Sequence, residues 1–354
     1  FQGGQRRSSA GDAAFGPDAA LDMPALRLRW FDRWLKGMSN GVDTDPPVRI
    51  FVMGDGVPGA PTRNPQGRLF VGGKWRDERE WPLARTKSTP YYLHAGGELS
   101  PDLPPASRGE AGPALARVRG GAAPGTPATS GTPATAAATQ PVAATHFMFD
   151  PRNPVPTLGG NVSSQGTLMF QGAADQRCRK DFWLCPDARP LSARNDVLVF
   201  QTRPLAEDVE VTGRLVVKLW ISSSAPDTDF TAKLVDVYPP SADYPAGVDL
   251  NIGDSIVRAR YRDSLDKASL MTPGQVYPVT IEMYPTSLVF RRGHRIRVDI
   301  SSSNFPRFDV NPNTGEPLNG QRRWAIADNA VYHDPAHPSH IVLPIIPRGA
   351  PASH

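Results

Sequence analysis

Val276-Tyr277-Pro278-Val279-Thr280-Ile281-Glu282-Met283 and, after Gly293, His294-Arg295-Ile296-Arg297-Val298-Asp299-Ile300 alternate apolar and polar side chains. A period of two sets Tyr277, Val279, Ile281 and Met283 on one side of a strand and Thr280 and Glu282 on the other. Ile296, Val298 and Ile300 alternate in the same way with Arg295, Arg297 and Asp299. Working outward, Leu215, Val217, Leu219 and Ile221 repeat the pattern. Residues 255–262 continue it, with Val257, Ala259 and Tyr261 facing one way and Arg258, Arg260 and Arg262 the other. Residues 197–200 and 340–346 read as further strands. Each has one buried face. Strands at this spacing, with Gly, Pro, Asn and Asp turns and no interleaved helices, predict an antiparallel β-sandwich of jelly-roll type.

The N-terminal region reads differently. Residues 1–20 are polar and Gly-rich, without periodicity. From Asp22 a helix is predicted: Leu26, Trp30, Phe31, Trp34 and Leu35 fall at helical spacing, and Arg27, Arg29, Asp32, Arg33 and Lys36 lie mostly opposite. Gly37 ends it. Strands follow at 48–53 and 91–93. Residues 101–145 are Ala, Pro, Gly, Thr and Ser, with Gly-Thr-Pro-Ala-Thr occurring twice. So little apolar bulk cannot offset ordering entropy, and the stretch is expected to be a flexible surface insertion.

The 354 residues allow one large domain or two ordinary ones. The 38 prolines and 32 glycines argue against a helical bundle. No run of 18 apolar residues is present, which excludes a membrane-spanning helix. The 39 basic and 35 acidic residues are too evenly matched for a dedicated nucleic-acid binder. Cys178 and Cys185, the two cysteines, lack zinc spacing. A local disulfide and two buried thiols both fit them, so they assign no compartment. The opening Phe1-Gln2-Gly3-Gly4 has no Met and no signal-peptide pattern. It is expected to be a tag-protease scar or the cut edge of a larger protein.

Candidate chemistry is sparse. Gly37-Met38-Ser39-Asn40-Gly41 matches G-x-S-x-G, but a hydrolase elbow needs a strand before the serine and a helix after it. Here the order is reversed, and a helix cap with a turn is the expected reading. His333, His337 and His340 have helical spacing, but Pro335 and Pro338 interrupt any helix, so a pinned loop is expected rather than a metal site. Asp227, Asp229, Asp236, Asp249 and Asp254 lack the closely spaced ligands of a calcium loop and read as solvated carboxylates. The serines at 222–224 and 301–303 end strands, with no histidine at an activating spacing. Trp75, Trp81 and Trp183 are candidates for a sugar-stacking platform, or ordinary core and interface residues. No phosphate-cradling loop or dinucleotide fingerprint is present.

Several segments taken together resemble a known family. They include Trp30-Phe31-Asp32-Arg33-Trp34-Leu35-Lys36-Gly37, residues 48–54, Trp75-Arg76-Asp77-Glu78, Trp81-Pro82-Leu83 and Pro154-Val155-Pro156-Thr157-Leu158-Gly159-Gly160. Further ones are Asp175-Gln176-Arg177, Asp229-Phe230-Thr231-Ala232-Lys233-Leu234-Val235-Asp236-Val237, Ser301-Ser302-Ser303-Asn304-Phe305-Pro306 and His337-Pro338-Ser339-His340-Ile341-Val342-Leu343-Pro344. This set resembles the cocaine-esterase-like branch of the X-prolyl dipeptidyl-peptidase superfamily. Members are serine hydrolases of esters and amides, with an α/β-hydrolase domain, a helical cap and a C-terminal galactose-binding-like jelly roll. The resemblance implies that residues 1–46 are the tail of the hydrolase domain, 47–348 the jelly roll with its insertion at 101–145, and 349–354 a tail.

In that family the catalytic His precedes the Phe-Gly matching Phe15-Gly16. No His lies between Phe1 and Phe15, so Ser, Asp and His of the triad are all expected to be absent and no catalytic residue is assigned. The resemblance also implies that Gly159, Gly160, Asn161 and Val162 approach the substrate pocket. Trp30, Phe31, Trp34 and Leu35 are expected to form the domain interface. The expected partners are the upstream hydrolase domain and, in the intact enzyme, a small ester or amide. No cofactor, metal, nucleic acid or membrane is expected. The alternative is an independent carbohydrate-binding β-sandwich, for which the apolar helix would have no use.

Overall fold

The computed structural model describes residues 7–54, 62–105, 143–162, 168–178, 182–185, 187, 189–320 and 322–349. The chain opens with two short strands, β1 (Ser9–Ala10) and β2 (Ala13–Ala14), followed by helix α1 (Met23–Lys36). Then come β3 (Val48–Met53), β4 (Leu69–Phe70), β5 (Gly73–Glu78), β6 (Lys87–Leu93) and β7 (Leu99–Ser100). The remaining strands are β8 (Ala144–Phe149), β9 (Leu198–Gln201), β10 (Val209–Ser223), β11 (Asp229–Tyr238), β12 (Val248–Arg258), β13 (Tyr277–Phe290), β14 (Arg295–Ser301), β15 (Ala327–Tyr332) and β16 (His340–Ile346). Most of the 101–145 insertion lies outside the described residues, and its last two residues begin β8.

Two sheets face each other. The larger runs β5-β3-β13-β10-β16-β6-β7, with β15 joining β10 to β8. The smaller runs β12-β11-β14-β9. Their inner faces meet in one core. Leu215, Val217, Leu219, Ile221, Val279, Ile281 and Met283 come from the larger sheet, and Phe200, Phe230, Leu234, Ile296, Val298 and Ile300 from the smaller. This is the β-sandwich that the alternation predicts. Phe230 is fully buried and meets Phe147 edge-on, ring centroids 6.4 Å apart.

The expectation of a single buried face fails for the smaller sheet. Its second face is covered by the stretches that carry Leu158, Gly160, Ala174 and Gln176, and Arg297, Asp299 and Lys233 are buried there. Register sets Lys233 between Asp254 on β12 and Asp299 on β14. Two carboxylates flanking one ammonium is the arrangement that makes burial of three charges tolerable. The reading of residues 255–262 as one strand is also corrected. β12 stops at Arg258 and a short 3₁₀ turn follows at Ala259–Tyr261. Asp227 bends the chain there: it accepts from the Arg260 backbone N–H at 2.9 Å and from its Nε at 2.8 Å, so Arg260 is buried rather than solvent-facing.

Residues 9–14, which show no periodicity in the sequence, form two short paired strands. β1, β2 and β4 form a small third sheet, whose Ala13 and Leu69 pack with Val71, Val248 and Leu250. Cys178 and Cys185 are joined by a disulfide, which resolves the two alternatives left open by their spacing. Among the described residues no helix is long and apolar enough to cross a membrane.

Phe230→Ala should cost about 3–5 kcal/mol, since it removes a ring from the contact plane of the two sheets. Urea unfolding should show a lower midpoint with an unchanged slope; an unshifted midpoint would mean that this plane is not the core.

Candidate functional site

Helix α1 begins at Asp22, whose side chain accepts from the Ala25 N–H at 3.0 Å. It ends at Gly37, left-handed at φ 69°, with Arg33 and Lys36 in the last turn where the helix dipole favours them. One flank is fastened to the following loop. Arg29 donates to both oxygens of Asp45 at 2.6 and 3.1 Å and to the Asn40 carbonyl at 3.2 Å. Arg33 donates to Asp43 at 3.0 Å. The other flank carries Leu28, Trp30, Phe31, Trp34 and Leu35, and no residue of the helix is buried. Trp30 and Trp34 are 53% and 56% exposed and Leu35 is 77% exposed. The two indoles touch each other, centroids 5.7 Å apart. Water is a poor environment for so much contiguous apolar surface on one monomer.

Ser39 lies beyond that cap, in the loop of Gly41, as the reversed order of elements predicts.

Gly159, Gly160, Asn161 and Val162 form a shelf over the buried charge row. Thr157 and Phe305 hold its approach, through Thr157 N–H to the Phe305 carbonyl at 2.7 Å and Phe305 N–H to the Val155 carbonyl at 2.9 Å. Gly160 and Gly172 exchange backbone bonds of 2.7 and 3.0 Å. Gly160 has φ +107°, and a Cβ there would lie 2.9 Å from Arg307 Nη1 and 3.0 Å from Asp254 Oδ1. Only glycine fits so close to that ion pair. Gly159 is buried, Gly160 and Val162 are half-buried, and Asn161 is exposed at the rim.

Beneath the shelf the charged groups are matched, while the amide oxygen of Asn304 is buried without a partner. Asn304 donates to Asp254 at 2.6 Å. Lys233 donates to Gln176 at 3.2 Å, and Gln176 donates to the carbonyls of Leu158 and Ala174 at 2.9 and 3.1 Å. Burial lowers the Lys233 pKa, against the pull of Asp254 and Asp299. Burial also works against the Arg297 cation, but Asp299 and Asp249 outweigh it and its pKa is raised. Asp175 takes backbone N–H groups from Asp249 at 3.0 Å and Arg177 at 3.2 Å, and its own N–H donates to Asp12 at 2.9 Å. Burial pushes the Asp175 carboxyl up to about 6, partly offset by those two N–H groups and by Arg177.

The aspartates expected to be solvated are instead buried and paired: Asp227 with Arg260, Asp229 with Arg258, Asp236 with His294, Asp249 with Arg297 and Asp254 with Arg307. The covered second face of the smaller sheet explains several of these pairs. Alternating Arg and Asp along β14 was the signal available in the sequence; it also fits a wet face, and only tertiary covering distinguishes the two.

The histidines do not converge. His333 is buried and shares a hydrogen bond with Thr145 Oγ1 at 2.9 Å. His337 Nδ1 meets Asp334 at 3.1 Å, and His340 Nδ1 donates to the Pro338 carbonyl at 2.7 Å. Among the described residues no group of three His, Cys, Asp or Glu is placed to hold a metal. The serines of both runs are used in the fold: Ser222 bonds the Tyr332 hydroxyl, Ser301 bonds Thr231 and Ser303 accepts from the Val155 N–H. One serine missed in the sequence does meet a histidine, Ser100 Oγ with His94 Nε2 at 2.9 Å. Ser100 also accepts from the Asp102 N–H, and among the described residues no carboxylate bonds His94 to complete a triad. The three tryptophans do not form one platform. Trp75 donates to the Asp18 carbonyl at 2.9 Å and packs on Phe51, while Trp183 packs on Phe182. Trp81 sits elsewhere, beside Tyr284.

The family model described as "X-Pro dipeptidyl-peptidase C-terminal non-catalytic domain" matches residues 40–342. Cocaine esterase of Rhodococcus sp. (strain MB1 Bresler) is 38% identical over 346 residues, covering 95% of this chain and 49% of the esterase. A solved α-amino acid ester hydrolase is 26% identical with a TM-score of 0.64, covering 96% of this chain and 47% of its own. An aminopeptidase from a marine-sediment Thaumarchaeota archaeon shares the fold, at 22% identity and a TM-score of 0.67, with 97% and 47% covered. The chain thus spans about half the length of these relatives.

Asp175 gives a pH test. Its folded pKa stands above the ordinary value of 3.8. The associated stability is therefore full below about pH 4 and is lost as pH rises through about 6. Asp175→Asn keeps a carbonyl acceptor for the two N–H groups. It should raise stability at pH 7.5 by about 1 kcal/mol, discounted for partial exposure, and leave it unchanged at pH 4. Urea titrations at the two pH values measure this; an equal effect at both would contradict it.

Proposed function

The chain belongs to the family of X-Pro dipeptidyl-peptidase C-terminal non-catalytic domains, and from that premise we propose that it completes a serine hydrolase of esters or amides. In this reading an upstream α/β-hydrolase domain of the same protein supplies the nucleophilic Ser, the His that takes its proton and the Asp that orients the His. Attack on the substrate carbonyl gives an acyl-enzyme, which water then cleaves. The present chain contributes the β-sandwich, in the proposed jelly-roll, galactose-binding-like form, with residues 1–46 as the end of the hydrolase domain.

The observation that carries the reading is the uncovered flank of α1. Its polar flank is already satisfied by Asn40, Asp43 and Asp45, so the helix is positioned but not packed. Burying Trp30, Phe31, Trp34 and Leu35 would contribute about 1.5–3 kcal/mol each. A free-standing carbohydrate-binding module has no use for this surface. The rigid shelf at Gly159, Gly160, Asn161 and Val162 supports the second half of the proposal. Its backbone is tied to Gly172 by two hydrogen bonds and packs closely over Asp254 and Arg307, so Asn161 and Val162 are offered as a wall of the substrate pocket.

Two outcomes are expected. The chain alone should not hydrolyse p-nitrophenyl acetate above the buffer rate; turnover blocked by a serine-directed phosphonate would contradict the non-catalytic reading. The upstream hydrolase domain, produced separately, should bind this chain, and the double variant Trp30→Ala/Trp34→Ala should weaken binding by about 100-fold or more. Calorimetric titration measures that ratio, and equal affinity would refute α1 as the interface.

A further inference from the structure

A cleft beside the β10–β13 pair, at the margin where Ser255 of β12 comes next to Met283 of β13, belongs to neither α1 nor the shelf. β10 and β13 pair in register from Val209 with Phe290 to Gly213 with Thr286, and resume at Leu215 with Met283. Arg214 therefore stands opposite two residues, Tyr284 and Pro285. One residue against two is a β-bulge, a device that re-aims side chains. It breaks the alternation of β13: Val279, Ile281 and Met283 are buried, yet Tyr284 and Pro285 are exposed in succession. Tyr284 is 64% exposed.

The loop between β5 and β6 brings Trp81, 42% exposed, and Pro82 to the same place. That loop is pinned. Glu80 accepts from the Ala84 N–H at 2.9 Å, the Leu83 carbonyl accepts from the Thr86 N–H at 3.0 Å, and Leu83 is buried. A cavity of about 480 Å³ lies among Trp81, Pro82, Arg214, Glu282, Tyr284 and Pro285, within the usual range of about 300–1,000 Å³ for small-molecule sites. Arg214 and Glu282 form an ion pair at its wall. Among the described residues neither the Trp81 indole N–H nor the Tyr284 hydroxyl has a hydrogen-bond partner within the protein.

We propose that this bulge-built cleft is a binding site for a neutral saccharide. Aromatic faces attract the C–H faces of a sugar ring, and Trp and Tyr each combine a large apolar body with a polar tip. The Arg214–Glu282 pair has no net charge but offers donors and acceptors side by side, which suits hydroxyl groups, since each both gives and takes a hydrogen bond. A charged ligand would be attracted by one member of the pair and repelled by the other. The site is independent of α1, so it stands or falls separately from the hydrolase reading.

The test titrates the whole chain with hexasaccharides of glucose, mannose, galactose and N-acetylglucosamine, and with a decaproline peptide, by isothermal calorimetry. At least one hexasaccharide should bind. Trp81→Ala and Tyr284→Ala should each weaken it by roughly tenfold, the worth of one aromatic contact. Trp81→Phe, which keeps a ring, should retain most of the affinity and guards against a folding defect in the alanine variant. Absence of binding by all four hexasaccharides, binding indifferent to both alanine variants, or binding of decaproline alone would overturn the proposal.

Discussion

Lys233 is buried between Asp254 and Asp299, in one row across three strands of the smaller sheet. A buried ammonium is tolerable only with matched carboxylates and satisfied hydrogen bonds. Much of the surrounding architecture follows from that requirement. Arg307 and Asn304 answer Asp254, Arg297 answers Asp299, and Gln176 answers Lys233 while tying down the carbonyls of Leu158 and Ala174. The covering segment is thereby fixed in height and register. Gly160 has room for a hydrogen and nothing more, and the chain emerges at Asn161 on a defined path.

The contrast with α1 is physical as well as positional. Each of the five aspartates first read as solvated has a cationic or imidazole partner, Asp254 directly under the shelf. On α1 the polar flank is equally well answered, but the apolar flank is answered by nothing among the described residues. Two tryptophans left half in water, on a domain whose buried aspartates are all paired, are what the proposed docking of α1 against a further domain accounts for. Its family membership and its span of about half of each relative agree with that view.

The sequence made the elements legible where a local rule acts alone. α1 was readable from Asp22 to Gly37 because caps and apolar spacing are local. β10, β13, β14 and β16 were readable because their inner residues alternate. β11 was not read as a strand, since Asp229, Thr231, Lys233 and Asp236 look like a soluble loop until a second layer covers them. The end of β12 was misjudged because Asp227, distant in sequence, captures Arg260. A separation of seven positions does not by itself decide between a disulfide and two thiols. The shelf residues were reached through resemblance, while the ion pair that makes Gly160 necessary was invisible without the fold.

In the proposed function the β-sandwich is the scaffold, the shelf a wall of the substrate pocket and α1 the joint to a catalytic domain. Hydrogen–deuterium exchange of the chain, alone and with the proposed upstream hydrolase domain produced separately, examines the joint directly. Residues 23–38 should exchange quickly in the chain alone and become strongly protected in the complex, with the β-sandwich core slow in both. A complex that leaves the exchange of residues 23–38 unchanged would contradict the account.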